Sequence, residues 1–226
     1  MSHRDGAAAN AVRGPRWQQG AAQRAPGLAR AGTAVAWAAT LAAKRGQPLQ
    51  AAHLRFRQRA DAPRALHCFV LDCSASMLSH DRLALAKGLI VAYFDRAARD
   101  RMEAALICFG GNGAARRFGP AVPRWWNARW VEPVEGGGGT PLADGIAAAA
   151  QLLARDARRH ADKQRWLWVL SDGRTRETPA RPEAADHLVF VDFDDAPVRI
   201  GQGARLARAW GAQWVVADAL CAEVGG

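Results

Sequence analysis

Short apolar runs and helical apolar periods take turns along most of this chain, and that alternation limits the possible folds more than any other feature. Residues 66–71, 104–109, 166–170, 187–193 and 213–216 read as strands. Between them, residues 81–99 place Leu83, Leu85, Ala86, Leu89, Ile90 and Tyr93 on one helical face. A second helix follows Thr140, with Leu142, Ile146, Ala149, Leu152 and Leu153 inward, and a third spans residues 203–210. Such alternation gives a mostly parallel sheet covered on both faces. Residues 114–118, beyond the turn Gly110-Gly111-Asn112-Gly113, read as a hairpin partner of 104–109 and so as an antiparallel edge.

Two strand ends carry oxygen-bearing side chains. Asp72-Cys73-Ser74-Ala75-Ser76-Met77 follows His67-Cys68-Phe69-Val70-Leu71, which puts a carboxylate and two hydroxyls at alternate positions on one turn. Gly136-Gly137-Gly138-Gly139-Thr140-Pro141 offers another hydroxyl, and Asp172, in Leu170-Ser171-Asp172-Gly173, ends a second strand. In an open α/β sheet the carboxyl ends of parallel strands converge on the ligand crevice. Asp72, Ser74, Ser76, Thr140 and Asp172 can therefore meet, and hard cations such as Mg²⁺ take oxygen ligands of this kind. Each piece also has an ordinary reading. The first can be an Asx turn that caps a helix, Thr140-Pro141 an N-cap with proline at the first helical position, and Asp172-Gly173 a plain turn. Their joint occurrence at the ends of separate elements favours a metal site.

The pattern D-x-S-x-S, then T, then D resembles the metal-ion-dependent adhesion site of von Willebrand factor A domains, with all five positions filled. Phe69-Val70-Leu71-Asp72-Cys73-Ser74-Ala75-Ser76-Met77, Ala86-Lys87-Gly88, Gly137-Gly138-Gly139-Thr140-Pro141-Leu142-Ala143 and Leu170-Ser171-Asp172-Gly173-Arg174 are similar to the C-terminal domain of the magnesium chelatase D subunit. Arg55-Phe56-Arg57-Gln58-Arg59 resembles that subunit too. The resemblance implies a von Willebrand A (Rossmann-like) three-layer α/β fold, with a mostly parallel central sheet, an antiparallel edge strand and helices on both faces. It implies Mg²⁺ (or Mn²⁺) held by the hydroxyls of Ser74, Ser76 and Thr140, with Asp72 and Asp172 bound directly or through water. One coordination position would stay open for a partner carboxylate. The implied role is a non-catalytic adaptor of an ATP-dependent Mg or Co chelatase in tetrapyrrole or cobalamin biosynthesis. Its partners would be an AAA+ chelatase ATPase subunit and a large chelatase subunit. The turn Gly110-Gly111-Asn112-Gly113 departs from the Arg-Gly-Asp-like segment of many D subunits, so an internal-ligand role is not carried over. No G-x-x-x-x-G-K-[ST] phosphate loop occurs, so a stand-alone protein without ATPase activity of its own is expected. The alternatives are a von Willebrand A module serving another AAA+ ATPase in protein-complex maturation, and nucleic-acid binding through a basic arm.

Domain organisation is expected as a flexible basic arm (1–30), a helix and edge-strand extension (31–63) and the α/β domain (64–226). Residues 1–64 hold 11 Lys/Arg against Asp5 and Asp61 alone, so this segment carries nearly all of the +10 net charge. A solvated tail or a protein partner is the favoured reading, since no nucleic-acid motif accompanies the charge. Residues 33–45 read as a helix with Val35, Trp37, Ala38 and Leu41 in one stripe, and residues 54–57 as an edge strand in which Leu54 and Phe56 cover or extend the sheet. No run approaches the roughly 20 apolar residues of a membrane span, and Met1-Ser2-His3-Arg4-Asp5 does not resemble a signal peptide, so a cytoplasmic protein is expected.

Of four cysteines, Cys68 and Cys108 read as core residues and Cys73 as a loop spacer rather than a nucleophile. Trp166 and Trp168 read as core. His3, His53, His160 and His187 show no ligand spacing. Trp125, Trp126 and Trp130 precede the glycine run and read first as packing, although with Arg174 they are also candidates for contacting a partner.

Overall fold

The computed structural model describes residues 31–58, 64–111, 113–125, 140–195 and 201–224, and they fall into two compact units that meet in sequence at Pro63 and Arg64. The expected arm, residues 1–30, lies outside the described residues. In the smaller unit, β1 (Ala31–Val35) pairs antiparallel with β2 (Phe56–Gln58), and α1 (Trp37–Lys44) lies between them in sequence. The helix expected from residue 33 thus begins at Trp37, because the β-branched Thr33 and Val35 belong to the strand. Its stripe is not buried either: Trp37 and Leu41 are exposed, while Thr40 is inward. Thr40 Oγ1 accepts from Arg55 N at 2.9 Å and donates to Arg55 O at 3.3 Å, which ties the helix to the second strand's approach. β2 therefore belongs to a two-stranded sheet of its own, which corrects the expectation that it extends the larger sheet and leaves the covering alternative open.

The larger unit is a six-stranded sheet in the order β5-β4-β3-β6-β7-β8. Its strands are β3 (Ala65–Asp72), β4 (Glu103–Gly110), β5 (Gly113–Ala121), β6 (Gln164–Ser171), β7 (His187–Asp192) and β8 (Gln213–Val216). All neighbours are parallel except β4 and β5. The central strands are buried on both sides, which is why they read as continuous apolar runs. One face packs under α3 (Arg82–Asp100) through Leu83, Ile90 and Phe94, and under α6 (Ala217–Val224) through Leu220. The other packs under α4 (Leu142–Arg159) through Ile146 and Leu153, and under α5 (Gln202–Trp210) through Leu206 and Trp210. A four-residue α2 (Ala75–Leu78) follows β3.

Leu85, expected inward, is exposed, since the buried stripe of α3 runs through 83, 86, 90, 94 and 97. Trp168 is core as expected, but Trp166, at the amino end of β6, is half-buried and stacks on His67 at 5.6 Å and on His187 at 4.0 Å. His187 thus has a packing role that its spacing did not suggest. α6 was not apparent in the sequence.

α4 lies close to the sheet because Gly145 faces it. A Cβ there would come within 2.8 Å of Phe109 Cδ1 and 3.1 Å of Val70 Cγ1. Gly145→Val is expected to lower stability by about 1–3 kcal/mol, the range for overpacking a filled core. A urea midpoint equal to the parent's would show that the helix can retreat freely. The larger unit's sheet and both its apolar clusters lie within residues 65–220. A fragment of residues 64–226 is accordingly expected to melt cooperatively on its own. A broad, non-cooperative transition would show that the smaller unit is needed for folding.

Candidate metal-binding site

β3 and β6 are neighbours, yet the chain leaves β3 toward β4 on one side and reaches β6 on the other, so their carboxyl ends flank the point where strand order reverses. Crevices form at such points in open α/β sheets. Asp72 is the last residue of β3 and Asp172 follows the last residue of β6, and both are buried.

The turn after β3 is fixed by the backbone. Cys73 N donates to Phe109 O at 2.7 Å, and Gly110 lets the two segments approach, since a Cβ there would lie 3.2 Å from the Cys73 carbonyl carbon. Ser74 N donates to Asp72 Oδ1 at 2.8 Å, which is the expected Asx turn. The cap of the ordinary reading is absent: Ser74 occupies the N-cap of α2 without a side-chain bond to it. Its hydroxyl instead faces that of Ser76 at 3.1 Å. Asp72 Oδ2 accepts from Ser171 Oγ at 2.6 Å, and Ser171 Oγ accepts from Gly173 N at 3.0 Å. Burial pushes the Asp72 carboxyl up to about 6, against these hydrogen bonds and with a smaller contribution from nearby Asp172.

Thr140 is not the cap of α4 either. The helix begins at Leu142 with Pro141 at its N-cap, and Ala143 N donates to Glu177 Oε2 at 2.7 Å. Thr140 Oγ1 lies 3.5 Å from the Arg174 carbonyl, so its hydroxyl is not used by the helix. The loop that follows β6 therefore contacts the start of α4 through Arg174 and Glu177.

Asp172 sits among cations. Its Oδ1 accepts from Arg174 N at 3.1 Å, while Arg82 Nη1 reaches Oδ2 at 3.2 Å and Arg174 Nε lies 3.7 Å from it. Arg82 is itself buried and bridges onward to Asp195 through Nε at 2.9 Å and through Nη2. That contact holds the exposed Asp195 carboxyl below the usual range. Arg174 Nη2 also lies 3.6 Å from Asp194. Arg82, Ser171, Glu177, Asp194 and Asp195 were not singled out in the sequence. Asp194-Asp195 at a strand end could have been noticed as an acidic pair, but Arg82 looks like any surface arginine.

The structure thus brings Asp72, Ser74 and Ser76 together on one turn, links Asp172 electrostatically to Asp72, and ties Thr140 to Arg174 on the Asp172 loop. Among the described residues no three of His, Cys, Asp and Glu gather as a metal cluster, so a cation here would depend on hydroxyls. The hydroxyl pair fits: adjacent ligands of an octahedral Mg²⁺, with bonds of about 2.0–2.1 Å, are about 2.9 Å apart. Asp72, with both oxygens hydrogen-bonded, suits an orienting role more than a bare ligand. Cys73 is buried, with Sγ 3.8 Å from Leu71 O, and it hydrogen-bonds Cys108, which together with burial pushes the Cys108 thiol up. Cys68 is pushed up to about 12 by burial. Trp125 is 90% exposed rather than packed, while Trp126 and Trp130 lie outside the described residues.

The family model described as von Willebrand factor type A domain matches residues 68–174. An uncharacterized protein of Mycobacterium tuberculosis, Rv2850c, is 32% identical over 166 residues, 69% of this chain and 26% of that protein. The magnesium-chelatase 60 kDa subunit of Rhodobacter capsulatus is 29% identical over 126 residues, 56% of this chain and 22% of the subunit. The magnesium-chelatase 67 kDa subunit of Heliobacterium mobile is 30% identical over 131 residues, 58% of this chain and 19% of the subunit. The chain spans about a fifth to a quarter of the length of these relatives. The segment that the family model matches runs from within the strand ending at Asp72 to the arginine beyond Asp172, so it contains Asp72, Ser74, Ser76, Thr140 and Asp172, and this stretch of the chain is similar to the von Willebrand factor type A domain.

Proposed function

We propose that this chain is a recognition component of an ATP-dependent metal chelatase system, inserting Mg²⁺ or Co²⁺ into a tetrapyrrole, and that it works through a Mg²⁺-dependent adhesion site. The observation that carries the reading is the facing pair of serine hydroxyls at the start of α2, neither of which caps the helix, beside two buried aspartates at the carboxyl ends of β3 and β6. Ser74, Ser76 and Thr140 would hold the ion, and Asp72 and Asp172 would orient the hydroxyls and the surrounding water. A bound Mg²⁺ with mostly neutral ligands supplies an electrophilic position for a partner's carboxylate. The chain's own residues suit binding more than hydrolysis. Cys68 and Cys108 are buried thiols held protonated, and His67, the histidine on β3, is buried among aromatic rings. The similarity to magnesium-chelatase subunits supports a chelatase assembly, with an AAA+ ATPase subunit and a large chelatase subunit as partners. Among the described residues no helix is long and apolar enough to cross a membrane.

The test is metal binding itself. A ligand of the folded state raises stability by about 2.7 kcal/mol at a hundred times its dissociation constant. Mg²⁺ or Mn²⁺ is expected to bind once per chain and to raise the melting temperature, and Asp72→Asn and Asp172→Asn to remove that rise from proteins that still fold. Variants that respond to Mg²⁺ like the parent would show that the site is misassigned.

A further inference from the structure

The crevice already contains a cation. Arg82 is buried, and its side chain is only 6% exposed. It opens α3, where a positive charge opposes the helix dipole. The two residues before it, His80 and Asp81, both lie in the left-handed region at φ 57°, a conformation that side chains other than glycine disfavour. Burial, helix position and backbone all disfavour a cation at this point. What offsets them is the pair of carboxylates that the guanidinium joins, Asp172 on one side and Asp195 on the other.

We infer that Arg82 is the resident counter-cation of the metal crevice, competing with a divalent ion for Asp172 and so setting how tightly that ion is held. The inference rests on the metal-site reading above and adds a residue to it. Asp172 Oδ1 is engaged by Arg174 N and Oδ2 by Arg82, so an ion, or the water around it, shares Oδ2 with a guanidinium. A positive charge on a ligand's own carboxylate weakens its pull on a second cation. Asp195 makes the competition reversible. Its side chain is 53% exposed and accepts from Arg82, which gives the guanidinium a second place to rest when Asp172 turns to a metal. Arg82 also lies within 3.5 Å of the Ser76 carbonyl, so its movement reaches the hydroxyl turn directly.

The arrangement predicts opposite effects from its two ends. Mn²⁺ binding to the full chain, read by electron paramagnetic resonance, is expected to tighten by about tenfold or more in Arg82→Gln, because the competitor is gone. The metal-free melting temperature of the same variant is expected to fall, since Asp172 is then buried without its counter-ion. Asp195→Asn is expected to weaken Mn²⁺ binding, because Arg82 is then left on Asp172. That weakening should persist at about 0.5 M salt, where an exposed charge acting only at long range is screened. Unchanged or weaker binding in Arg82→Gln would overturn the inference and leave Arg82 as a structural clamp. Should Arg82→Gln not fold, Asp195→Asn decides: weaker binding at high salt supports the competition, and unchanged binding overturns it. Failure of the metal reading has another signature. Neither the parent nor Arg82→Gln then binds Mn²⁺ in a way that Asp72→Asn abolishes, and the inference falls with the site.

Discussion

Retention of the proposed partners, an AAA+ chelatase ATPase subunit or a large chelatase subunit, on the immobilised chain is expected to fall to background when Ser74 and Ser76 are both alanine. Neither serine carries charge, so the loss cannot come from a changed surface potential. Neither caps α2, and their hydroxyls face each other at 3.1 Å, so their removal affects folding little. The expected cost is about 1 kcal/mol, that of one modest hydrogen bond. On the proposed adhesion-site reading, metal binding by contrast loses two adjacent oxygen ligands at once, and Mg²⁺ tolerates poor geometry badly. The double variant is therefore expected to melt near the metal-free parent, to show no Mg²⁺-induced rise, and to behave in pull-down as the parent does in EDTA. Retention that ignores both EDTA and the double substitution would end the adhesion reading while leaving the fold untouched.

What could be read from the sequence, and what could not, follows from the range of the interactions. The six-stranded sheet was legible because its central strands are covered on both faces, which leaves continuous apolar runs, and because α4 keeps a regular stripe through Leu142, Ile146, Ala149 and Leu153. The candidate site residues were legible because they lie at strand ends and near a helix start, where local pattern alone marks a crevice. Partnerships across the chain left no such mark. Arg82 meets Asp172 from 90 residues away, and Glu177 reaches the start of α4 from 34 residues away. The ordinary capping readings of Ser74 and Thr140 failed for a related reason: the actual acceptor at α4, Glu177, arrives from another loop. The β1–β2 pair was missed although Thr33 and Val35 were visible, since the apolar spacing of the following helix was carried too far toward the N-terminus.

The two buried titrating groups on β3 should make stability nearly independent of pH over a window in which each alone would change it steeply. His67 accepts from Trp168 Nε1 at 3.1 Å and lies against Trp166 and Tyr93, and burial, with help from His187, lowers it to about 3. The unfolded chain takes up that proton near pH 6.5 and the folded chain does not, so His67 supports folding fully above 6.5. Its support is lost as pH falls, by about 1.4 kcal/mol per unit down to about 3. Asp72 runs the other way. Its folded value of about 6 lies above the unfolded value of 3.8, so its charged form opposes folding at neutral pH, and stability returns as pH falls from 6 toward 3.8. The opposing slopes nearly cancel between pH 6 and 4. Asp72→Asn should expose the histidine, losing on the order of 3 kcal/mol between pH 6.5 and 4 relative to the parent's change. His67→Gln, which keeps an acceptor for Trp168, should expose the aspartate and gain stability on acidification by a similar amount. Other groups contribute a background common to all three proteins, which cancels when urea midpoints are compared at each pH. Three parallel curves would mean that neither group is held as its burial requires. Divergence in opposite directions would show that burial holds the histidine neutral and raises the aspartate, each against the other.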